Sequence, residues 1–464
     1  MHLTMRPTKL LSAMLLALAA QAAGAADLLQ AWQAAQRHDP EFAAAQAAFE
    51  AGNTRREQAR ALWRPSVVLE AGAGRMSSDS SMSGARFSAP GFGQSSGVAF
   101  DTSISNGTME RYTLSAKQPL INRERLAQSR QLTYAAEAAD AEWQNAQQSL
   151  MLRTAERYFD VLIAAENLRM LQQQQNAVAR ALDEAKDRFR LGDAPVTDTH
   201  EAAARAETIR AQVLAAEMDL QVKQAAFADL TGAQPQGLAT LRPDTVAAQR
   251  KLEPLETWLA NAERNNPMLQ MQAKNQSAAK EEAAKHSALG APSLDLVAQT
   301  GRDRLHGSGD FGDAENRSSN RMIGVQLTIP LFTGGYRSAR HEEALHLLDK
   351  ARADSDRMRQ QIAQQTRSAW LGLTVGAARV AALEQAQKAS RARLDATRLG
   401  RAVGDRTTLE LLNAENEATA SELALLQARA ALALDRLRLA ALAGSLDETA
   451  LRSVNDMLQP ATAQ

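Results

Sequence analysis

Leu191-Gly192-Asp193-Ala194-Pro195-Val196-Thr197-Asp198 closes a stretch in which Leu168, Leu171, Gln175, Val178, Leu182, Ala185 and Phe189 follow one another at steps of three and four. Such steps line up along one side of a helix and make a coiled-coil seam, with a polar seat at Gln175. Gly192 and Pro195 break the helix, and Thr197 or Asp198 is placed to cap a new one. Leu150 to Ala202 therefore predicts a long helix, a tight turn and a second helix running back. The pattern returns 212 residues later: Tyr158 corresponds to Trp370, Leu168 to Val380, Gln175 to Gln387, Gly192 to Gly404, Asp193 to Asp405, Asp198 to Glu410 and Ala202 to Ala414. Two aligned turns flanked by aligned seams point to an internal duplication.

Composition narrows the class. Lys+Arg and Asp+Glu balance at 53 each in 464 residues, which argues against a nucleic-acid partner. Aromatic residues are only 4%, low for one large globular core, while Ala, Leu, Gln, Glu and Arg dominate as they do in long helices. The absence of Cys excludes thiol nucleophiles, Cys-ligated metals, disulfides and an N-terminal lipid carried on Cys. Arg6 and Lys9 precede an apolar run from Leu10 to Ala20, and Ala23-Gly24-Ala25 and Gly24-Ala25-Ala26 offer small-residue cleavage sites. This predicts a secretory signal peptide over residues 1–26, because the apolar run is too short to span a bilayer. No later segment approaches the ~20 apolar residues of a transmembrane helix, so membrane residence would have to rest on β-strands.

The rest of the chain then reads as two repeats, 27–250 and 251–464. In the first, Leu28, Leu29, Trp32 and Ala35 make an apolar helical face, Pro40 interrupts, a second helix runs from Glu41 to about Leu62, and Arg64-Pro65 ends it. Strands are predicted at about 66–76 and 109–119, with the Ser- and Gly-rich stretch Ser77 to Thr108 as a long exposed loop. The long hairpin follows over 122–230, then an irregular linker marked by Gly232, Pro235, Gly237 and Pro243. In the second repeat Pro267 and Pro292 stand 227 residues after Pro40 and Pro65. Strands are predicted at about 293–300 and 321–330, Arg302 to Asn320 as a polar loop, a hairpin over 336–443, and a C-terminal tail. Pro119 and Pro330 differ by only 211, which puts 16 extra residues in the first strand–loop–strand.

Each half thus carries two strands with one apolar face; Ile323, Val325, Leu327 and Ile329 alternating with Gly324, Gln326 and Thr328 is the cleanest example. Alternation alone leaves two arrangements open. The hairpins could cap a soluble helical rod, or the apolar face could meet lipid. Membrane strands must close a barrel, and four are too few, so the second arrangement requires several chains.

Three motifs make the pattern specific. Leu191 to Asp198, Val403-Gly404-Asp405-Arg406-Thr407-Thr408-Leu409-Glu410-Leu411-Leu412-Asn413-Ala414, and Gln326-Leu327-Thr328-Ile329-Pro330-Leu331-Phe332-Thr333-Gly334-Gly335 resemble the two periplasmic turns and the strand-to-helix junction of the TolC-type outer-membrane channel-tunnel family. The resemblance covers essentially the whole chain after the signal peptide. It implies a mainly α fold with a small β portion, and a homotrimer whose roughly twelve strands close one barrel. A helical barrel would continue it across the periplasm, the helices Glu41–Leu62 and Val196–Leu230 stacking end to end to match the long one. It also implies a passive duct in the cell outer membrane, among outer-membrane lipid. Cargo, an exported protein or a small molecule, would arrive from an inner-membrane ABC or other transporter through a periplasmic adaptor (membrane fusion protein). Without the lipid-bearing Cys of the drug-efflux branch, the chain is more similar to the branch serving type I protein secretion. By position, Asp198, Arg406, Glu410 and Asn413 would form the periplasmic gate, with Asn413 where relatives carry an acid and Arg401 where they carry an aromatic residue. The competing role for Asp198 and Thr407 is helix capping. The competing function is a periplasmic coiled-coil adaptor, although adaptors carry one hairpin among β-rich domains and this chain carries two.

No constellation for catalysis, a cofactor or a metal is legible. His341 and His346 stand five apart, about 140° around a helix, and miss the spacing of a zinc-protease pair. Gly334-Gly335 lacks the Lys and Ser/Thr of a phosphate cradle, and Glu281-Glu282 reads as surface charge. The expectation is a conduit, not an enzyme.

Overall fold

The computed structural model describes residues 27–91, 93–193, 195–235, 237–242, 252–288, 290–310 and 312–459. The signal peptide expected over 1–26 and the linker residue Pro243 lie outside them. The chain is mainly α-helical with a smaller β portion. In order it forms α1 (Leu28–His38), α2 (Pro40–Ala61), β1 (Ser66–Ala89), β2 (Gly93–Ile121), α3 (Arg123–Arg190), α4 (Val196–Thr231), β3 (Thr240–Leu241), α5 (Leu255–Asn265), α6 (Pro267–Ala288), β4 (Ser293–Gly309), β5 (Gly312–Thr328), α7 (Tyr336–Ala402), α8 (Thr408–Leu442), α9 (Glu448–Asn455) and β6 (Leu458–Gln459). Among the described residues no helix is long and apolar enough to cross a membrane. Two compact units emerge: Met1–Ala51 with Ala138–Ala273 and Ala353–Gln464, and Gly52–Glu137 with Lys274–Arg352.

The first unit is built on helical seams. Its core gathers Leu28, Trp32 and Ala35 of α1, Leu150, Tyr158 and Phe159 of α3, Phe227 and Leu230 of α4, Leu437 of α8, and Leu451 and Val454 of α9. Pro40 does not merely interrupt: it is the first residue of α2, where a missing N–H costs nothing. Asp39 before it accepts from the Phe42 N–H at 3.1 Å and is paired with Arg153 at 2.5 Å. The second half repeats the device, Asn266 accepting from the N–H groups of Met268 and Leu269 at 3.0 and 3.2 Å, ahead of Pro267. The aligned aromatics Tyr158 and Trp370 share a task as well. The Tyr158 hydroxyl donates to the Ala239 carbonyl and the Trp370 indole N–H to that of Glu253, at 3.0 and 3.1 Å. Each ties the linker between the halves to a long helix, and burial pushes the Tyr158 phenol up from its ordinary pKa.

The α3 seam departs from the expected one. Gln174, Val178 and Ala181 are buried, Gln175 is only half-buried, and Phe189 is 47% exposed. The polar seat is Gln174, whose side-chain amide donates to Asn416 of α8 at 3.1 Å. The reason is geometric: α3 packs on α4 and on α8, so its apolar stripe is wider than the single seam of a two-stranded coil.

The second unit carries an antiparallel sheet in the order β1-β2-β4-β5, with β1 and β5 as edges. Here the expected loops are corrected. Ser77 to Thr108 is not a loop but the outer half of β1 and β2, paired through to Ala89–Gly93, and Arg302 to Asn320 belongs to β4 and β5, paired through to Gly309–Gly312. Strands of 24 and 29 residues replace the expected 11-residue ones, and two of 17 replace the shorter second pair. A projecting hairpin satisfies its backbone by cross-strand pairing and buries few apolar side chains, here Ile104 and Leu305, so Ser and Gly suffice where the sequence shows no alternation. β2 also runs past Pro119 to Ile121, through a register irregularity that spares the ladder the missing N–H.

Candidate functional site

Two regions bear on function, one in each unit. In the sheet, directly paired residues of antiparallel strands share a face. Val67 pairs with Ala116, Ala116 with Ala298 and Ala298 with Ile323; Leu69 pairs with Leu114, and Leu296 with Val325. All four strands therefore turn their apolar alternates to the same side, and Leu69, Ile323 and Val325 there are 67%, 78% and 66% exposed. The opposite face carries Glu70, Arg111, Lys117, Asp295, Asp303 and Gln326, with Val68, Val297 and Met322 as apolar exceptions. It holds two cross-strand ion pairs, Arg111–Asp303 at 2.7 Å and Lys117–Asp295 at 2.8 Å.

The other region is the pair of helical turns. Asp193 N–H donates to Arg188 O and Gly192 N–H to Phe189 O, at 2.8 and 3.0 Å; Asp405 N–H donates to Gly400 O and Gly404 N–H to Arg401 O, at 2.8 and 3.2 Å. This is the same Schellman closure twice, and it needs the left-handed backbone that Gly192 and Gly404 supply at φ 79° and 83°. The following helices start differently. Thr407 caps α8: its hydroxyl accepts from the Glu410 N–H at 3.2 Å while Glu410 accepts from the Thr407 N–H at 2.8 Å, a capping box. At the equivalent place α4 has Pro195, which has no side-chain acceptor to cap with. Neither Thr197 nor Asp198 is the cap; Asp198 lies inside the first turn, equivalent to Glu410.

The structure separates residues that sequence position grouped. Arg406 does not reach Asp198. It pairs with Glu410 of its own turn at 3.0 Å, and its stem lies so close over Gly400 that an added Cβ would stand 2.7 Å from Arg406 Cγ. Backbone donation from Thr407, then the Arg406 guanidinium and the Thr407 hydroxyl, hold the Glu410 carboxyl below the usual carboxylate range. Among the described residues no side-chain partner is recorded for Asp198. Asn413 accepts from Arg205 of α4 at 2.8 Å.

Sequence reasoning missed the contacts between the two hairpins. Arg401, marked only as a departure from relatives, donates to Thr408 Oγ1 at 3.1 Å and pairs with Glu184 of α3. Arg205 stands between Ala202 and Ile209 at seam spacing, which is the signal that places it against another helix. Beneath these ties Val178, Ala181, Ile209 and Leu412 form a small apolar cluster. Between the turns lies a cleft of about 820 Å³ lined by Glu184, Asp193, Asp198, Glu201 and Asp405 and by Arg188, Arg205, Arg401 and Arg406. The arrangement is a set of breakable polar contacts over a thin apolar seam. His341 of α7, in the second unit, is engaged by a backbone carbonyl, Ala283 O at 3.1 Å from its Nδ1.

Two long helical hairpins, together with a four-stranded sheet that exposes one apolar face, define a class of largely helical proteins with a membrane-suited β portion. The chain belongs to the outer membrane efflux protein family, whose profile matches residues 31–233 and 258–445. The interruption falls in the linker between the two halves. The chain is 30% identical over 330 residues to outer membrane protein TolC of Vibrio cholerae serotype O1, covering 70% of this chain and 74% of that one. It is 30% identical over 430 residues to the alkaline protease secretion protein AprF of Pseudomonas aeruginosa, covering 92% and 86%. In fold it is similar to the Campylobacter jejuni CmeC outer membrane channel, with a TM-score of 0.71 at 14% identity over 93% of this chain and 90% of that one. The chain is thus an outer-membrane protein of an export and secretion family.

Proposed function

We propose that three copies of this chain close a twelve-stranded barrel in the outer membrane, continued by a helical barrel in the periplasm, and serve as a passive export duct. The observation that carries this is the sheet: four strands, both edges unpaired among the described residues, and one exposed apolar face. An open edge in lipid leaves backbone groups unsatisfied, so copies must pair β1 of one with β5 of the next. The polar face, with its Lys117–Asp295 and Arg111–Asp303 pairs, then lines the lumen. The long match to a protease secretion protein supports type I protein secretion as the first use, with small-molecule efflux as the second. Cargo would come from an inner-membrane ABC or other transporter through a periplasmic adaptor.

The same reading makes the turns the periplasmic gate. Arg401–Glu184 and Arg205–Asn413 hold the tips of the two hairpins of one copy together, while Asp198 is left to meet a neighbouring copy. Arg406 and Glu410 set the rigidity of the second turn. The test is purification from separated membranes followed by planar-bilayer recording. A heat-dissociable trimer in the outer-membrane fraction that conducts ions is expected; a monomer released from the periplasm would overturn the duct.

A further inference from the structure

The apolar face of the sheet ends on a line of charged side chains, three arginines and one glutamate. Going along each strand away from the helices, the first charged side chain on that face is Arg321 on β5, Arg302 on β4, Glu110 on β2 and Arg75 on β1. The register shows how these stand to one another. Arg321 pairs with Thr300, Arg302 with Tyr112, Glu110 with Ala73, and Arg75 with Thr108. The boundary thus climbs one side-chain row, two residues or about 7 Å, with each strand crossed. A steady climb is what tilted strands make where they cross a flat interface. The boundary is one edge of the lipid-facing band, on the side where the hairpins project.

The charges along it are unbalanced. Arg75, Arg302, Arg304, Arg317 and Arg321 face Glu110 and Glu315 there, with Asp79 and Asp313 farther out on the same face, so basic groups still lead five to four as far as Asp79. Glu315 accepts from Arg317 at 2.8 and 2.9 Å and is also paired with Arg304. The side chains of Arg75, Arg302 and Arg321 are exposed, and among the described residues none of the three guanidinium groups makes a hydrogen bond or ion pair. Arginine is costly inside a bilayer and cheap at its edge, and its planar fork suits phosphate oxygens bidentately. On the lumen-side face the comparable Arg111 is neutralised by Asp303.

We propose that Arg302 and Arg321, with Arg75, form a docking surface for a phosphate-bearing lipid headgroup of the outer leaflet, whose acyl chains lie on the apolar band beneath. This rests on the reading that the sheet's apolar face meets lipid. The experiment uses the purified wild-type oligomer and the R302Q/R321Q and R111Q variants, each first scored for recovery as a heat-dissociable oligomer in outer membranes. Each is then titrated in detergent with bis-phosphorylated lipid A, with phosphatidylcholine and with inorganic phosphate, and binding is read by native mass spectrometry and by the shift in dissociation temperature. Wild type and R111Q are expected to hold the bis-phosphorylated lipid about tenfold tighter than R302Q/R321Q, a difference of ~1.4 kcal/mol. Equal affinities in oligomers that all assemble would overturn the headgroup site and leave the barrel standing. Inorganic phosphate that reproduces the shift at the same concentration would also overturn it, in favour of a free-anion site. A wild-type chain absent from the outer membrane would overturn the membrane reading beneath both.

Discussion

Glu410 has two jobs in one carboxylate. It completes the capping box of α8 and it takes the Arg406 guanidinium. Glu410→Gln separates them, since Gln also serves the box but carries no charge. If the charge acts in gating, Glu410→Gln alters cation selectivity in planar bilayers as strongly as Glu410→Ala; if only capping matters, Glu410→Gln behaves as wild type. The pH dependence has a definite sign. The folded-state pKa lies below the ordinary carboxylate value, so the unfolded chain takes up the proton first. The box contributes fully above the ordinary carboxylate pKa and loses its contribution as pH falls through the lower folded value. Amide exchange at Thr407, corrected for intrinsic rate, is expected to lose protection over that acid window and not between pH 6 and 8. Thr407→Ala should cost about 1 kcal/mol at the helix start. On the proposed gate reading Arg401 carries more than Arg406, because it joins α7 to α3, whereas Arg406 stays within one turn. Arg401→Ala is expected to raise single-channel conductance more than Arg406→Ser. The reverse order, with oligomers intact, would return the gate to Arg406.

At the scale of elements, the sheet makes the sharper test, because adjacent residues of β5 point to opposite faces. Val325→Arg or Leu327→Arg puts a cation on the apolar face, at a cost of ~2–4 kcal/mol near mid-bilayer. Gln326→Arg puts it on the polar face. The yield of heat-dissociable oligomer should fall for the first two and hold for the third; equal yields would mean that no lipid contacts this strand. The first hairpin offers a second test. Beyond the register irregularity between Met76 and Ser78 the strands pair only with each other or with the short second hairpin. Replacing residues 81–101 by a two-residue turn keeps the Ser80–Thr102 pair adjacent to the new turn and should leave assembly unchanged. Loss of the oligomer would show that the projecting strands hold the barrel together.

For the whole molecule the decisive contact is the one a single chain lacks. If copies close one barrel as proposed, the edges β1 and β5 meet across copies, and the chain has no native cysteine to confuse a cross-linking scan. Leu69→Cys on β1, combined with single cysteines along β5 from Ile323 to Leu327, is expected to give covalent trimers on oxidation in membranes at one or two positions. Covalent dimers only, or no product across the scan, would argue for a different closure.

Periodicity determined the helices. Seams at three-and-four steps and breaks at Gly192, Gly404, Pro40 and Pro267 mark α1 to α8 because helix signals are local: one chain segment carries both the pattern and its stop. The duplication was legible for the same reason; that the aligned Tyr158 and Trp370 both anchor the linker is what the structure adds. The structure decided the long strands: Ser77 to Thr108 and Arg302 to Asn320 fold back on themselves as hairpins, and backbone pairing of this kind asks little of side-chain type, so no alternation in the sequence marks it. It also decided the turns. Asp198, Arg406, Glu410 and Asn413 are close in the alignment of repeats, but a guanidinium pairs with the carboxylate within its reach. That distance is fixed by which helices pack together, so Arg406 took Glu410, Arg401 took Glu184, and Arg205 took Asn413.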